Sequence, residues 1–204
     1  MTYMINKLVV YFCILLLCSS CNYISYSQIA PMVKTAVFGV DDIVIDDEYL
    51  KNKEYSFAKI KVGKSGIAIM TLSQINGNVY SWVSSTGEKL NTYNGKVIAI
   101  SGSLFDMKLY NYSNFSLDKK VTVSLNSQMI LESPRAFLDH YSLTKYVPSN
   151  EEGTFYFEES VTSKGFKWNF TNRYWVDSET NRVIRSVQQV HPKQPKLEIS
   201  FFYK

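Results

Sequence analysis

The sequence predicts a mainly β protein: a strongly curved antiparallel sheet of hairpin meanders, open-barrel or sandwich-like, with one N-terminal helix. Three observations predict it. Aromatic residues make up 15% of the chain, with 15 Tyr and 12 Phe, and aromatic and β-branched side chains suit a pleated, half-buried surface. From Tyr55 onward, short alternating runs are separated by turn signals every ~8–10 residues, as in all-β domains. The best helix candidate after the first twenty residues is Ile29–Phe38, where Ile29, Met32, Val33, Ala36 and Val37 recur at helical spacing. Pro31 fits its first turn and Gly39 follows as a stop.

The sheet begins with a strand over Tyr55–Val62, a turn at Lys64-Ser65-Gly66 and a strand over Ile67–Ile75. Asn76-Gly77 is the dipeptide best suited to a two-residue type I′ turn. Strands follow over Val79–Ser84, Lys89–Tyr93 and Lys96–Ser101, separated by Ser85-Thr86-Gly87 and Asn94-Gly95. In the second half, strands are expected over Lys119–Asn126, Ala136–Lys145, Thr154–Thr162, Phe166–Val176 and Arg182–His191, with a turn at Ser163-Lys164-Gly165. Pro192 and Pro195 break the last of these, and Leu197–Tyr203 reads as a closing edge strand. Its aromatic edge would be free to add to a partner sheet.

The N-terminus reads as an address. Lys7, an apolar run Leu8–Leu17 and small residues before Cys21 form a secretory leader. The run falls short of the ~20 residues that span a bilayer. Ser19-Ser20-Cys21 resembles a bacterial lipobox, with Cys18 where Leu is more usual. Cleavage between Ser20 and Cys21 would free an amine for acylation beside a diacylglyceryl thioether, and two or more chains hold a protein on a membrane. The expected organisation is therefore a lipoprotein signal peptide (1–20), a tether (21–28) and a single β-rich domain (29–204). Residues Asp41–Lys53, with the acidic run Asp46-Asp47-Glu48, read as an irregular connection.

Composition excludes several classes. All three cysteines, Cys13, Cys18 and Cys21, belong to the leader or its edge, leaving no disulfide framework, thiolate nucleophile or Cys-based metal site. The formal charge is +4 with no basic run beyond Lys119-Lys120, so no nucleic-acid surface is indicated. Asp46-Asp47-Glu48 lacks EF-hand spacing, and no phosphate loop or H-E-x-x-H is present. No cofactor is expected. The triplets beginning at Asn111, Asn114 and Asn169 match glycosylation sequons by chance in a lipobox-bearing protein.

Candidate chemistry is sparse. Asp139-His140 looks like half a catalytic pair, but strand neighbours point to opposite faces, and no G-x-S-x-G supplies a nucleophile. Glu158-Glu159 fails as a glycosidase pair for the same reason, unless a distant acid completes it. Alternation in Phe166–Val176 assigns Trp168, Phe170, Tyr174 and Val176 to the core and Trp175 to a polar face. Trp175 is a candidate sugar or partner contact; the preferred reading is that it covers a second layer of core.

Two stretches, Tyr55–Val97 and Trp168–Pro192, carry a recognisable pattern. The first includes Tyr80-Ser81-Trp82-Val83 and Thr92-Tyr93-Asn94-Gly95. The second includes Trp168-Asn169-Phe170-Thr171-Asn172-Arg173-Tyr174-Trp175 and Val187-Gln188-Gln189-Val190-His191-Pro192. With the lipobox, these resemble the YjbF/GfcB family of lipoproteins of group 4 capsule and other exopolysaccharide operons. The resemblance implies a curved antiparallel sheet anchored to the outer membrane and facing the periplasm. It implies a non-catalytic accessory role in polysaccharide secretion or assembly, beside an outer-membrane β-barrel and periplasmic capsule proteins, with polysaccharide itself a further candidate partner. It carries over no catalytic residues. Asn22 after the lipidated cysteine is compatible with outer-membrane delivery. Two alternatives stand: a lipid- or lipoprotein-binding carrier with an apolar cavity, and a polysaccharide-modifying enzyme using a carboxylate pair.

Overall fold

The computed structural model describes Tyr49 and residues 52–64, 67–103, 105–132, 134–148, 151–164 and 167–204. The helix expected over Ile29–Phe38 lies outside these residues and is not borne out, as do Ser20, Cys21 and the tether. So do parts of two expected turns, Ser65-Gly66 and Gly165.

Among the described residues every element is a strand. In chain order they are β1 (Phe57–Val62), β2 (Ile67–Asn76), β3 (Val79–Ser84), β4 (Lys89–Tyr93), β5 (Lys96–Ser101) and β6 (Met107–Tyr110). They continue with β7 (Val123–Glu132), β8 (Arg135–Val147), β9 (Thr154–Lys164), β10 (Asn169–Asp177), β11 (Val183–Gln188) and β12 (Leu197–Phe202). Each pairs antiparallel with its neighbours in sequence, and β12 returns to pair with β1. The curved sheet is thus a closed up-and-down barrel, neither open nor a sandwich. Closure removes the free edge: β12 bonds β11 on one side and β1 on the other, so Leu197–Tyr203 is not an edge strand. With both sides paired, β12 is not free for sheet addition.

Hairpin chemistry sets the register. Tyr93 pairs with Lys96 across Asn94-Gly95, whose φ values of 48° and 76° are those of a type I′ turn. At the β2–β3 corner Asn76 pairs with Val79, so the loop is Gly77-Asn78, one residue later than expected. Gly77, at φ 57°, takes the first loop position that requires a glycine-like backbone. The sequence reading missed β6, a four-residue strand too short to alternate visibly, and began β7 four residues early.

Alternation fills the interior. β8 buries Leu138, His140, Ser142 and Thr144 and exposes Phe137, Asp139, Tyr141, Leu143 and Lys145. Trp82, Tyr174, Phe115, Phe157, Leu131, Leu138 and Ile199 pack the centre, each no more than 2% exposed. Large aromatics such as Trp82 and Tyr174 each bury ~150–250 Å², on the order of 4–6 kcal/mol apiece by area. Trp82 keeps its donor satisfied inside, with Nε1 bonding Thr92 Oγ1 at 3.1 Å.

The barrel is pinched where β5 meets β11. Ile98 is an extra residue between the Asn91–Ala99 and Thr92–Val97 pairs, and Ile184 is its counterpart between the Trp175–Arg185 and Val176–Val183 pairs. Bulges bend their strands. Here β5 and β11 approach across the barrel, so that a Cβ on Gly95 would lie 2.5 Å from that of Val183. Beyond Ala99 toward its start, β5 has no ladder to β6. The connection over residues 111–122 lies beside this stretch, with Phe115 buried against Tyr174.

Candidate functional site

The even-to-odd connections (β2–β3, β4–β5, β6–β7, β8–β9, β10–β11) gather at one end of the barrel, here termed the mouth. The other connections form the far end.

The centre holds a polar network that composition did not announce. Glu159 on β9 is fully buried and makes an ion pair with Lys96, which leaves the Asn94-Gly95 turn into β5. Asn172 Nδ2 and the Tyr174 hydroxyl each donate to Glu159 Oε2 at 2.9 Å. Burial alone pushes this carboxyl up, but the Lys96 ammonium and the hydrogen bonds from Lys96 and Asn172 outweigh it and hold it below the usual range. The Tyr174 hydroxyl is raised well above its usual value, by burial first and then by Glu159.

Gln188 extends the network across the pinch. Its Oε1 accepts from Val97 N at 2.9 Å, and its Nε2 donates to Gly95 O at 2.8 Å and Ser186 Oγ at 2.9 Å. One side chain of β11 thereby satisfies a backbone N–H of β5 and a backbone carbonyl of the turn before it, a requirement wherever backbone is buried. Asn172 Oδ1 does the same for Gln189 N at 2.9 Å.

His140 sits one layer away, level with Ser127 on β7 and Ser163 on β9. The rings of Trp168 and Phe170 meet it edge-on at 5.5 and 6.0 Å. Burial, then Lys96, lowers its pKa to about 4, against the opposing pull of Glu159 and Asp139, so it is neutral at physiological pH. Its Nε2 and Ser163 Oγ are buried without a hydrogen-bond partner among the described residues. Beside His140 lies a cavity of about 20 Å³ lined by Lys96, Ser127, Ser142, Asn172 and Gln188. That is room for one water and not for a substrate.

The remaining sequence candidates separate as strand geometry requires. Asp139 faces outward, where it accepts from Gln128 Nε2 at 3.2 Å, while His140 faces in. Glu158 faces outward to Tyr156 and Arg173, back to back with Glu159. The modifying-enzyme alternative therefore loses the carboxylate pair on which it rested. Trp175 lies half-buried on the outer wall, paired with Tyr156 on β9 and Arg185 on β11. Arg185 sits 4.5 Å from its ring centroid and the Tyr156 ring 5.1 Å away, so cation and ring already occupy its surroundings.

The open space is at the two ends. At the mouth a pocket of about 450 Å³ is bordered by Tyr80, Phe155, Phe157 and Tyr203, the amides of Asn78, Asn94 and Asn181, and the charged Asp118, Lys119 and Arg182. Lys119 Nζ stands 3.4 Å from the Phe155 ring centroid and the Arg182 guanidinium 5.3 Å from that of Tyr203. The Tyr203 hydroxyl donates to Val183 O at 3.0 Å, which fixes the ring. At the far end a second pocket, about 570 Å³, is lined mainly by aliphatic side chains including Ile60, Ile69, Met70, Leu90, Ile100 and Leu197. Sequence reasoning found neither, since each is assembled from turns and strand ends distant in the chain.

The fold and its interior define a closed up-and-down barrel with a packed, hydrogen-bonded centre and ligand-sized pockets at its ends. Residues 143–202, from the second half of β8 through β12, match the family described as group 4 capsule polysaccharide lipoprotein gfcB, YjbF, and the family resemblance read from the sequence stands. The crystal structure of the hypothetical lipoprotein YmcC from Escherichia coli (K12) superposes with a TM-score of 0.68. It covers 90% of this chain and 98% of its own at 15% identity, a likeness of fold. Comparison with curated proteins finds no match.

Proposed function

We propose that this protein is an accessory lipoprotein of capsule or exopolysaccharide secretion or assembly that works by binding rather than by catalysis. The observation that carries the reading is the family match over residues 143–202, because those strands supply Glu159, Asn172, Tyr174 and Gln188 of the central network. The geometry is consistent with a binding role: the ionisable groups of the interior serve one another around a cavity with room for no more than a single water. In this reading Cys21 carries the acyl chains, the domain stands on the periplasmic face of the outer membrane, and its partners are an outer-membrane β-barrel, periplasmic capsule proteins and polymer.

The test is a deletion strain complemented with wild type or Cys21→Ala. Deletion is expected to abolish surface polysaccharide, and Cys21→Ala is expected to move the protein to the soluble fraction with loss of export. Unchanged amount and length of surface polymer on deletion would overturn the reading.

The far-end pocket favours a second reading, binding of an acyl chain, since its lining is mainly aliphatic, with Glu88 and Lys89 at its border. The chain-enclosing cavity first envisaged for a carrier is not in the barrel centre, which is packed with side chains. Native mass spectrometry of the detergent-extracted protein, with no co-purifying fatty acid or phospholipid, would dispose of this reading.

A further inference from the structure

We infer that the mouth pocket binds a carboxylate-bearing sugar unit of the polymer; the inference rests on the polysaccharide reading above and names the ligand class for it. Four features converge there. The volume, about 450 Å³, lies in the range of ligand sites, ~300–1,000 Å³. Half-buried aromatic rings, Tyr80, Phe155 and Tyr203, give it apolar walls, the last two with a cation over one face.

The third feature is charge. Lys119 and Arg182 reach the pocket from different connections, and among the described residues neither forms an ion pair with a carboxylate. Each is instead steadied over an aromatic ring, an interaction that positions a cation without neutralising it. The one acid at the pocket, Asp118, accepts from Lys120 N at 2.8 Å, so its carboxylate is engaged in its own turn. Two cations against one acid leave the lining of this pocket net positive.

The fourth is the supply of amides. Asn78, Asn94 and Asn181 come from three separate hairpin corners, and Asn94 and Asn181 are held at positive φ, 48° and 53°. Amides donate and accept at once, as vicinal hydroxyls require. Apolar ring faces, amides and unneutralised cations together match a ring rich in hydroxyls that also carries a carboxylate. A nucleic acid or a lipid surface would instead call for a broad basic face, and the sequence offers no basic run beyond Lys119-Lys120.

The experiment is calorimetric titration of the full-length, detergent-extracted protein with tetragalacturonate, with the neutral tetrasaccharide maltotetraose and with inorganic phosphate. Tetragalacturonate is expected to bind at least tenfold more tightly than either of the others, and less tightly as salt rises. Lys119→Ala and Arg182→Ala are each expected to weaken it about tenfold, the scale of a charge-assisted hydrogen bond. Lys145→Ala, on the outer wall, is the control and is expected to bind as wild type. No acidic-sugar binding, equal binding of phosphate or the neutral sugar, or unaltered affinity in the two mouth variants would overturn the inference. The deletion strain separates the two failures. If deletion leaves export intact, the functional reading falls; if deletion stops export while the wild-type protein binds no acidic sugar, only the ligand assignment falls.

Discussion

Lys96 and Glu159 form an ion pair inside the barrel, with side chains 7% and 0% exposed, linking the mouth-side start of β5 to the middle of β9. Removing one partner leaves the other charged and buried, which costs about 3–5 kcal/mol. Lys96→Met and Glu159→Gln are each expected to lose stability on this scale in urea denaturation at pH 7.5. The double variant Lys96→Met/Glu159→Leu, which buries no charge, is expected to recover most of it. Two single losses that merely add would show that the groups are not coupled.

Acid is expected to destabilise the barrel in two stages. His140 titrates at about 4 when folded and near 6.5 when unfolded, so the unfolded chain binds more protons between these values. Its contribution is complete above pH 6.5 and falls by on the order of 3 kcal/mol as pH drops toward 4. Glu159, held below the usual glutamate value of about 4.5, contributes stability that is present above that pH and lost as pH falls through the folded value. His140→Leu is expected to flatten the first stage and leave the second. A variant whose stability still drops as steeply between pH 6.5 and 4.5 would exclude His140 as the cause.

Gln188 joins strands that share no ladder. Gln188→Leu strips Val97 N and Gly95 O of their buried partner and is expected to cost about 2–4 kcal/mol. Gln188→Glu retains an acceptor but has no donor for Gly95 O and adds a charge, so it is expected to be no better. Amide exchange at Val97 is the specific readout: it should rise in either variant well beyond what global destabilisation accounts for.

The two hairpin glycines predict opposite tolerances. A Cβ at Gly77 meets nothing within 4 Å, so Gly77→Ala bears only the cost of its positive φ, roughly 1–2 kcal/mol. At Gly95 the added atom collides with Val183 at the pinch. Gly95→Ala is expected to melt at a clearly lower temperature than Gly77→Ala, and Val183→Ala added to it is expected to recover part of the difference. Equal melting temperatures would mean that β5 and β11 are not pressed together in solution.

Much of the barrel is visible in local pattern. Val79–Ser84, Lys89–Tyr93 and Lys96–Ser101 are strands at the bounds that alternation and turn residues assign, because adjacent hairpins are specified by neighbours in sequence. The core face of β10 is equally legible at Tyr174 and Val176, since parity alone sends alternate side chains to one side. Asn172 shares that parity and is buried too, but a polar residue on a core face becomes interpretable only when its partners, Glu159 and Gln189 N, are known. Lys96 carried no local signal, standing after a turn where a lysine is ordinarily solvated.

What the sequence by itself determined is the class of structure and the set of hairpins, because period-two alternation and Asn-Gly chemistry act within a few residues. What only the tertiary structure decided is closure and everything that depends on it. The meeting of β12 with β1, the burial of Lys96 against Glu159, the Gln188 bridge and the two end pockets join residues tens of positions apart. Such contacts are specified by where a curved sheet meets itself, and the strands that meet carry no mark of it.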